Sequence, residues 1–201
     1  MPKMKRKKPA GRRSSTTPKP KKAPRRASAR RAVPRAPATR KATPERVSGV
    51  REGSPAPSFS LPDQAGRVVS SSSLAGKPYV LYFYPKDDTS GCTREACGFR
   101  DSLRGFGTTG VKIIGVSPDN EASHARFAGK YGLPFTLLAD TDKSLAKAYG
   151  VWAKKQNYGR EYMGIVRSTF LIDKRGTVKK AWRGVRVDGH VDAVLEAAGA
   201  L

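Results

Sequence analysis

The chain has 201 residues, with 40 Lys+Arg against 16 Asp+Glu and a formal net charge of +24. Residues 1–46 hold 18 Lys/Arg and the single acid Glu45, a net of +17, which leaves +7 for the rest. Two cysteines are too few for a disulfide-stapled secreted domain and fit a reducing compartment with redox-active thiols. The start MPKMKRKK is followed by no apolar stretch of a secretory signal, and no apolar run reaches the roughly 18 residues of a membrane span.

In chain order, residues 1–50 are rich in Lys, Arg, Pro, Ala, Ser and Thr and have no aromatic residue. Such a segment cannot bury enough surface to offset its ordering entropy, so it reads as a disordered basic tail before a domain spanning 51–201. Order is expected from near Pro55. Ser58–Leu61 and Arg67–Val69 read as short strands around the turn Gln64-Ala65-Gly66. Tyr79–Tyr84 is a near-continuous apolar run, a central strand buried on both faces, which Pro85 stops. Thr93–Phe106 has helical spacing, with Ala96, Phe99, Leu103 and Phe106 near one stripe. Val111–Val116 is the next strand. Pro118-Asp119-Asn120 caps a helix over Glu121–Tyr131 that Gly132 ends. Phe135–Ala139 is a strand, and Lys143–Tyr149 a short helix ended by Gly150. Ser168–Asp173 and Thr177–Trp182 form a hairpin about Lys174-Arg175-Gly176, and His190–Ala198 is a final helix. Strands alternating with helices, closed by a hairpin, imply an α/β domain with a mixed sheet flanked by helices, compatible with a thioredoxin-like fold.

The segment from Tyr82 to Cys97 runs from a buried strand through a polar loop into the first turn of a helix. Cys92 falls at that start, where unpaired N–H groups and the helix dipole favour an anion. The thiolate is the reactive form of cysteine, so this placement activates it. A lone cysteine after a strand is more often an inert buried residue. Three neighbours argue otherwise: Thr89, three residues earlier, whose hydroxyl can fold back toward the sulfur; Pro85, which can shield it from water; and Cys97, five residues later.

Pro85, Thr89 and Cys92 meet the P-x-x-x-T-x-x-C pattern, and the segment resembles the active-site loop of peroxiredoxins. YFYPKDDTSGCTREACGFRD resembles more closely the bacterioferritin comigratory protein type, also called peroxiredoxin Q. Ser90 stands where that type usually has proline, outside the motif positions. Downstream, Tyr158-Gly159-Arg160 and Gly164–Asp173 resemble the strand that carries the family's active-site arginine, here Arg167. The resemblance covers about residues 53–198. It implies a thioredoxin-like fold and a peroxidase in which Cys92 attacks hydrogen peroxide or an organic hydroperoxide. Thr89 would then bond the peroxide, and Arg167 would stabilise the thiolate and the leaving oxygen. Groups aimed at developing charge are usually the largest catalytic term.

The same resemblance includes a cysteine at position 97 and so implies that Cys97 resolves the Cys92 sulfenic acid as a Cys92–Cys97 disulfide, reduced by thioredoxin or a similar dithiol protein. Five residues apart on a helix, two Cα atoms are roughly 8–9 Å apart, beyond the ~7 Å reach of a disulfide. Residues 92–98 are therefore expected to unwind on oxidation, with Gly91 and Gly98 easing the change. No cofactor is implied, and C-x4-C without further ligands is a poor zinc site. The subclass implies a monomer.

His124 and His190 read as surface or helix-start residues, Lys86-Asp87-Asp88 as a solvated loop, and Trp152, Trp182, Tyr131 and Phe135 as core or pocket wall. In the tail, Lys5, Arg6, Lys7, Lys8, Arg12, Arg13, Lys21, Lys22, Arg25 and Arg26 suit non-specific phosphate contacts, since no aromatic residue is present to stack on bases. Two other functions compete. One is a general thiol–disulfide oxidoreductase, which would normally present C-x-x-C. The other is a DNA-associated protein that tethers the globular part. The expected location is the cytoplasm, or the nucleus in a eukaryote; the Lys and Pro content disfavours organelle import.

Overall fold

The computed structural model describes residues 49–157 and 160–201. The basic segment read as a disordered tail from the sequence, with its ten candidate nucleic-acid contacts from Lys5 to Arg26, lies outside the described residues but for Gly49 and Val50, as do Tyr158 and Gly159. The chain forms β1 (Ser60–Pro62), β2 (Val68–Ser70), a 3-10 turn (Ser71–Leu74), β3 (Tyr79–Phe83), α1 (Ser90–Asp101), α2 (Leu103–Thr109), β4 (Lys112–Ser117) and α3 (Glu121–Tyr131). It continues with β5 (Thr136–Ala139), α4 (Ser144–Ala148), β6 (Trp152–Asn157), β7 (Arg160–Ile165), β8 (Ser168–Ile172), β9 (Val178–Arg183) and α5 (His190–Gly199). Among the described residues, no helix is long and apolar enough to cross a membrane.

The central sheet has the order β5-β4-β3-β8-β9. β3 runs parallel to β4 and antiparallel to β8, so the sheet is mixed, as in the thioredoxin-like fold. Side chains alternate along β3: Val80 and Tyr82, followed by Tyr84, face one core with Phe99, Phe106, Phe127 and Val194. Tyr79, Leu81 and Phe83 face a second core with Phe59, Leu145, Tyr149 and Phe170. A strand buried on both faces explains the unbroken apolar run. Both sheet edges are covered: Gln64 bonds the backbone of Phe135 and Leu137 beside β5, and Glu52 accepts from Ala181 N–H on β9.

Several local expectations hold in detail. Asn120 caps α3 by accepting from Ser123 N–H at 2.9 Å, and Gly132 ends it in the left-handed region at φ 60°. Asp173 shapes the β8–β9 turn by accepting from the N–H groups of Arg175 and Thr177. Three features differ from the sequence reading. The helix expected over Thr93–Phe106 is two helices, broken at Ser102 (φ −88°, ψ 3°). The apolar stripe continues across the break because both helices press on α5, so spacing does not reveal it. A Cβ at Gly98 would lie 3.1 Å from Val191, and one at Gly105 2.9 Å from Leu195. The β6–β7 hairpin was not expected, since Lys154-Lys155-Gln156-Asn157 lacks the alternation of a half-buried strand. The short 3-10 turn, carrying three serines, was also not expected.

The composition of α1 has a further consequence. One internal glycine, Gly98, costs about 1 kcal/mol relative to alanine. A fully buried side chain of the size of Phe99 contributes about 1.5–3 kcal/mol. Packing of Ala96 and Phe99 against the sheet, rather than intrinsic propensity, therefore holds this helix.

Candidate active site

The site is assembled where β3 ends. Tyr84 N–H still bonds Val116 of β4 at 3.1 Å, and half-buried Pro85 then starts the loop. Thr89 has extended backbone (φ −91°, ψ 150°) and is the N-cap of α1, its carbonyl accepting from Thr93 N–H at 2.8 Å. Cys92 is thus the third residue of the helix, among the N–H groups without an intrahelical acceptor. Its side chain is 2% exposed. Ser90, at the proline-favoured first helical position, starts the helix without that residue.

Arg167 reaches Cys92 from the other side of β3. The antiparallel register pairs Phe83 with Ser168, so the residue before β8 lies alongside the chain leaving β3. Arg167 is therefore in the short link between β7 and β8, not within a strand as expected. Its Nη2 donates to Cys92 Sγ at 3.2 Å, and its Nη1 donates to Glu95 Oε2. Burial alone would lower the guanidinium's pKa, but Glu95 and Cys92 beside it raise it, so it stays charged. Gly91 lies against this group: a Cβ there would sit in ordinary contact, 3.4 Å from Nη2. Close by, Thr169 Oγ1 and His190 Nε2 lie 2.8 Å apart. Burial, with help from Arg167, pushes the His190 pKa down to about 4, so the ring adds no second cation at neutral pH.

Thr89 Oγ1 donates to the Lys86 carbonyl at 3.2 Å and is exposed; its recorded hydrogen bond is to that carbonyl and not to the sulfur. Cys97 is half-buried on the same unbroken helix as Cys92, and both thiols are free. A cavity of 560 Å³ lined by Val68, Val69, Leu103, Phe106 and Phe135 involves none of Pro85, Thr89, Cys92 or Arg167.

Sequence reasoning misplaced two polar residues here. His124 is fully buried, not on the surface, whereas His190 starts α5, one of its two expected places, and is buried there. Asp87 is 6% exposed rather than solvated. Glu95 was passed over entirely, although its offset of three residues from Cys92 on a helix places both on one face.

Glu95 is fully buried, and its Oε1 has no hydrogen-bond partner. Burial, partly offset by Arg167, pushes its pKa up from 4.5 to about 7. The folded state therefore holds an extra proton between those values. Its stabilising effect is complete below pH 4.5 and is lost as pH rises through 7. Relative to Glu95→Gln, which mimics the neutral acid, the reduced wild type is expected to lose on the order of 3 kcal/mol between pH 4.5 and 8.5. Denaturant midpoints across that range measure the difference; parallel curves for the two proteins would refute it.

A buried thiol at a helix N-terminus, facing a guanidinium at the end of a thioredoxin-like sheet, defines a thiol-based redox enzyme. The sequence model of the AhpC/TSA family matches residues 53–181. The chain belongs to that family, as a peroxiredoxin of the Bcp, or peroxiredoxin Q, type. It is 52% identical over 144 residues to "Peroxiredoxin Bcp" of Bacillus subtilis, covering 72% of this chain and 92% of that one. It is 48% identical over 146 residues to "Putative peroxiredoxin bcp" of Coxiella burnetii, covering 73% and 97%. Among solved structures, peroxiredoxin Q of Xanthomonas campestris superposes with a TM-score of 0.68 at 44% identity, covering 71% of this chain and 90% of that one. A PrxQ variant of Xylella fastidiosa superposes with a TM-score of 0.72 at 35% identity, covering 76% and 98%.

Proposed function

We propose that the chain reduces hydrogen peroxide and organic hydroperoxides as a thioredoxin-dependent thiol peroxidase, with Cys92 as nucleophile and Cys97 as resolving thiol. The observation that carries this reading is the 3.2 Å contact between Arg167 Nη2 and Cys92 Sγ at the start of α1. It supplies a fixed cation beside a sulfur already favoured as an anion. A structure of the Xanthomonas campestris bacterioferritin comigratory protein is described in terms of alkyl peroxide reduction, which supports the substrate class.

The Cys92 thiolate attacks the terminal oxygen of ROOH. An S–O bond forms, the O–O bond breaks, and RO⁻ leaves and takes up a proton as ROH. Thr89 Oγ1 has its hydrogen engaged by Lys86 and so offers lone pairs to the peroxide O–H. Arg167 stabilises the charge developing on the leaving oxygen. The sulfenic acid of Cys92 then condenses with the Cys97 thiol, releasing water and forming the disulfide. A dithiol protein restores both thiols by exchange and is itself oxidised. Redox chemistry of this kind suits a reducing compartment such as the cytoplasm.

Because α1 is continuous through both cysteines, the disulfide requires the turns at residues 92–98 to open. One equivalent of hydrogen peroxide added to the reduced chain is expected to consume both thiols. Backbone amides over residues 92–98 should then exchange faster than in the reduced form. If peroxide persists with both thiols free, the peroxidase reading fails; equal exchange before and after oxidation sinks the unwinding step.

A further inference from the structure

The loop of residues 85–89 positions Thr89, the N-cap of α1, yet its backbone includes a strained residue. Asp88 sits in the left-handed region at φ 55°, which costs a non-glycine residue of order 1 kcal/mol or more. Two consecutive carboxylates tie the loop to α3. Asp88 accepts from Lys130 Nζ at 2.7 Å and from Tyr131 Oη at 2.5 Å near the end of that helix. This pair is solvent-exposed, and such pairs contribute only about 0–1 kcal/mol.

Asp87 is different in kind. Its buried carboxylate accepts from Tyr84 Oη at 2.7 Å, Ser123 Oγ at 2.7 Å and His124 Nδ1 at 2.9 Å. Its backbone N–H donates to Asp119 Oδ2 at 2.8 Å. The far side of the imidazole, Nε2, lies 3.1 Å from the Leu138 carbonyl on β5. Through these two contacts His124, on α3, bridges the loop to the sheet. Burial would push the Asp87 carboxyl up, but the hydrogen bonds and charge of His124, with Ser123 and Tyr84, hold it below the usual range. A satisfied buried network of this kind specifies one geometry.

We infer that Asp87 and His124 are positioning residues of the peroxidase site: they latch the loop to α3 and β5, so that Thr89 and the first turn of α1 meet the peroxide in the reactive geometry. The inference rests on the peroxidase reading above. No recorded hydrogen bond of Asp87 or His124 reaches Cys92, so their effect passes through the loop backbone. Asp87, the latched residue of the loop, precedes Ser90, and none of its partners lies within residues 92–98, the segment expected to open on oxidation.

The test uses the reduced full chain and two reactions of Cys92, oxidation by hydrogen peroxide and alkylation by iodoacetamide. Alkylation needs an accessible thiolate; oxidation also needs the aligned donors and acceptors. Asp87→Asn is expected to slow oxidation about tenfold to a hundredfold, with alkylation within about twofold of wild type. Ser123→Ala, which removes one bond to Asp87 at the half-exposed end of α3, is expected to slow oxidation about threefold in the same selective way. If Asp87→Asn fails to fold, Ser123→Ala decides. A merely structural role would lower the melting temperature and leave both rates of the folded protein unchanged. That result, or an equal fall in both rates, would overturn the latch. Wild-type oxidation no faster than that of a free cysteine would instead overturn the peroxidase reading.

Discussion

Cys92→Ser is expected to abolish peroxide consumption, whereas Cys97→Ser keeps the first oxidation and loses cycling. The hydroxyl of serine is not ionised at neutral pH even beside Arg167, so the O–O bond meets no nucleophile. Cys97 does not substitute, because it is half-buried five residues further along α1 and outside the first turn where the helix favours an anion. In Cys97→Ser the sulfenic acid forms at the wild-type rate but has no second thiol in the chain, which has only two. It should persist as a species with one added oxygen, then pass to the irreversible sulfinic acid with excess peroxide. Stopped-flow peroxide loss and intact-mass measurement separate the cases. Undiminished thioredoxin-supported turnover by Cys97→Ser would remove Cys97 from the mechanism.

Arg167→Met is expected to lower the second-order rate with hydrogen peroxide by about 10²–10³, the usual cost of removing one group that stabilises developing charge. The residue touches Cys92 and Glu95 at once, and losing one member of a buried pair typically destabilises by about 3–5 kcal/mol. The double variant Arg167→Met, Glu95→Gln avoids stranding a buried carboxylate and should show the same rate loss with more of the stability retained. Arg167→Lys keeps the charge but cannot span sulfur and carboxylate together with a planar fork, so it should fall between. An oxidation rate within about threefold of wild type in the double variant would mean that the guanidinium contributes nothing to peroxide cleavage.

Much of this was legible in the residues, and the misses share a cause. The apolar run of β3, the Asn120 cap, the turn at Lys174-Arg175-Gly176 and the position of Cys92 at a helix start are local and depend on neighbours within a few residues. Ser102 breaks a helix whose stripe continues, because α5 is what both halves press on. Asp87 and His124 look solvated in polar segments, but they bury each other across 37 residues, and β5, 14 residues beyond His124, closes the far side of its ring. Glu95 lies in the middle of the recognised motif, yet nothing local shows that its carboxylate is sealed from water with one oxygen unpaired.

By itself the sequence determined the strand, the loop and the helix start, and hence the placement of Cys92 in a first turn. Residue order dictates backbone periodicity, capping and the unpaired N–H groups of a first turn. Only the tertiary structure decided what that sulfur faces. Arg167 lies 75 residues away and arrives through the antiparallel register of β8 on β3, and the proton affinity of Glu95 follows from the dielectric around it. Register and burial are properties of the packed sheet, and no stretch of the chain carries them alone.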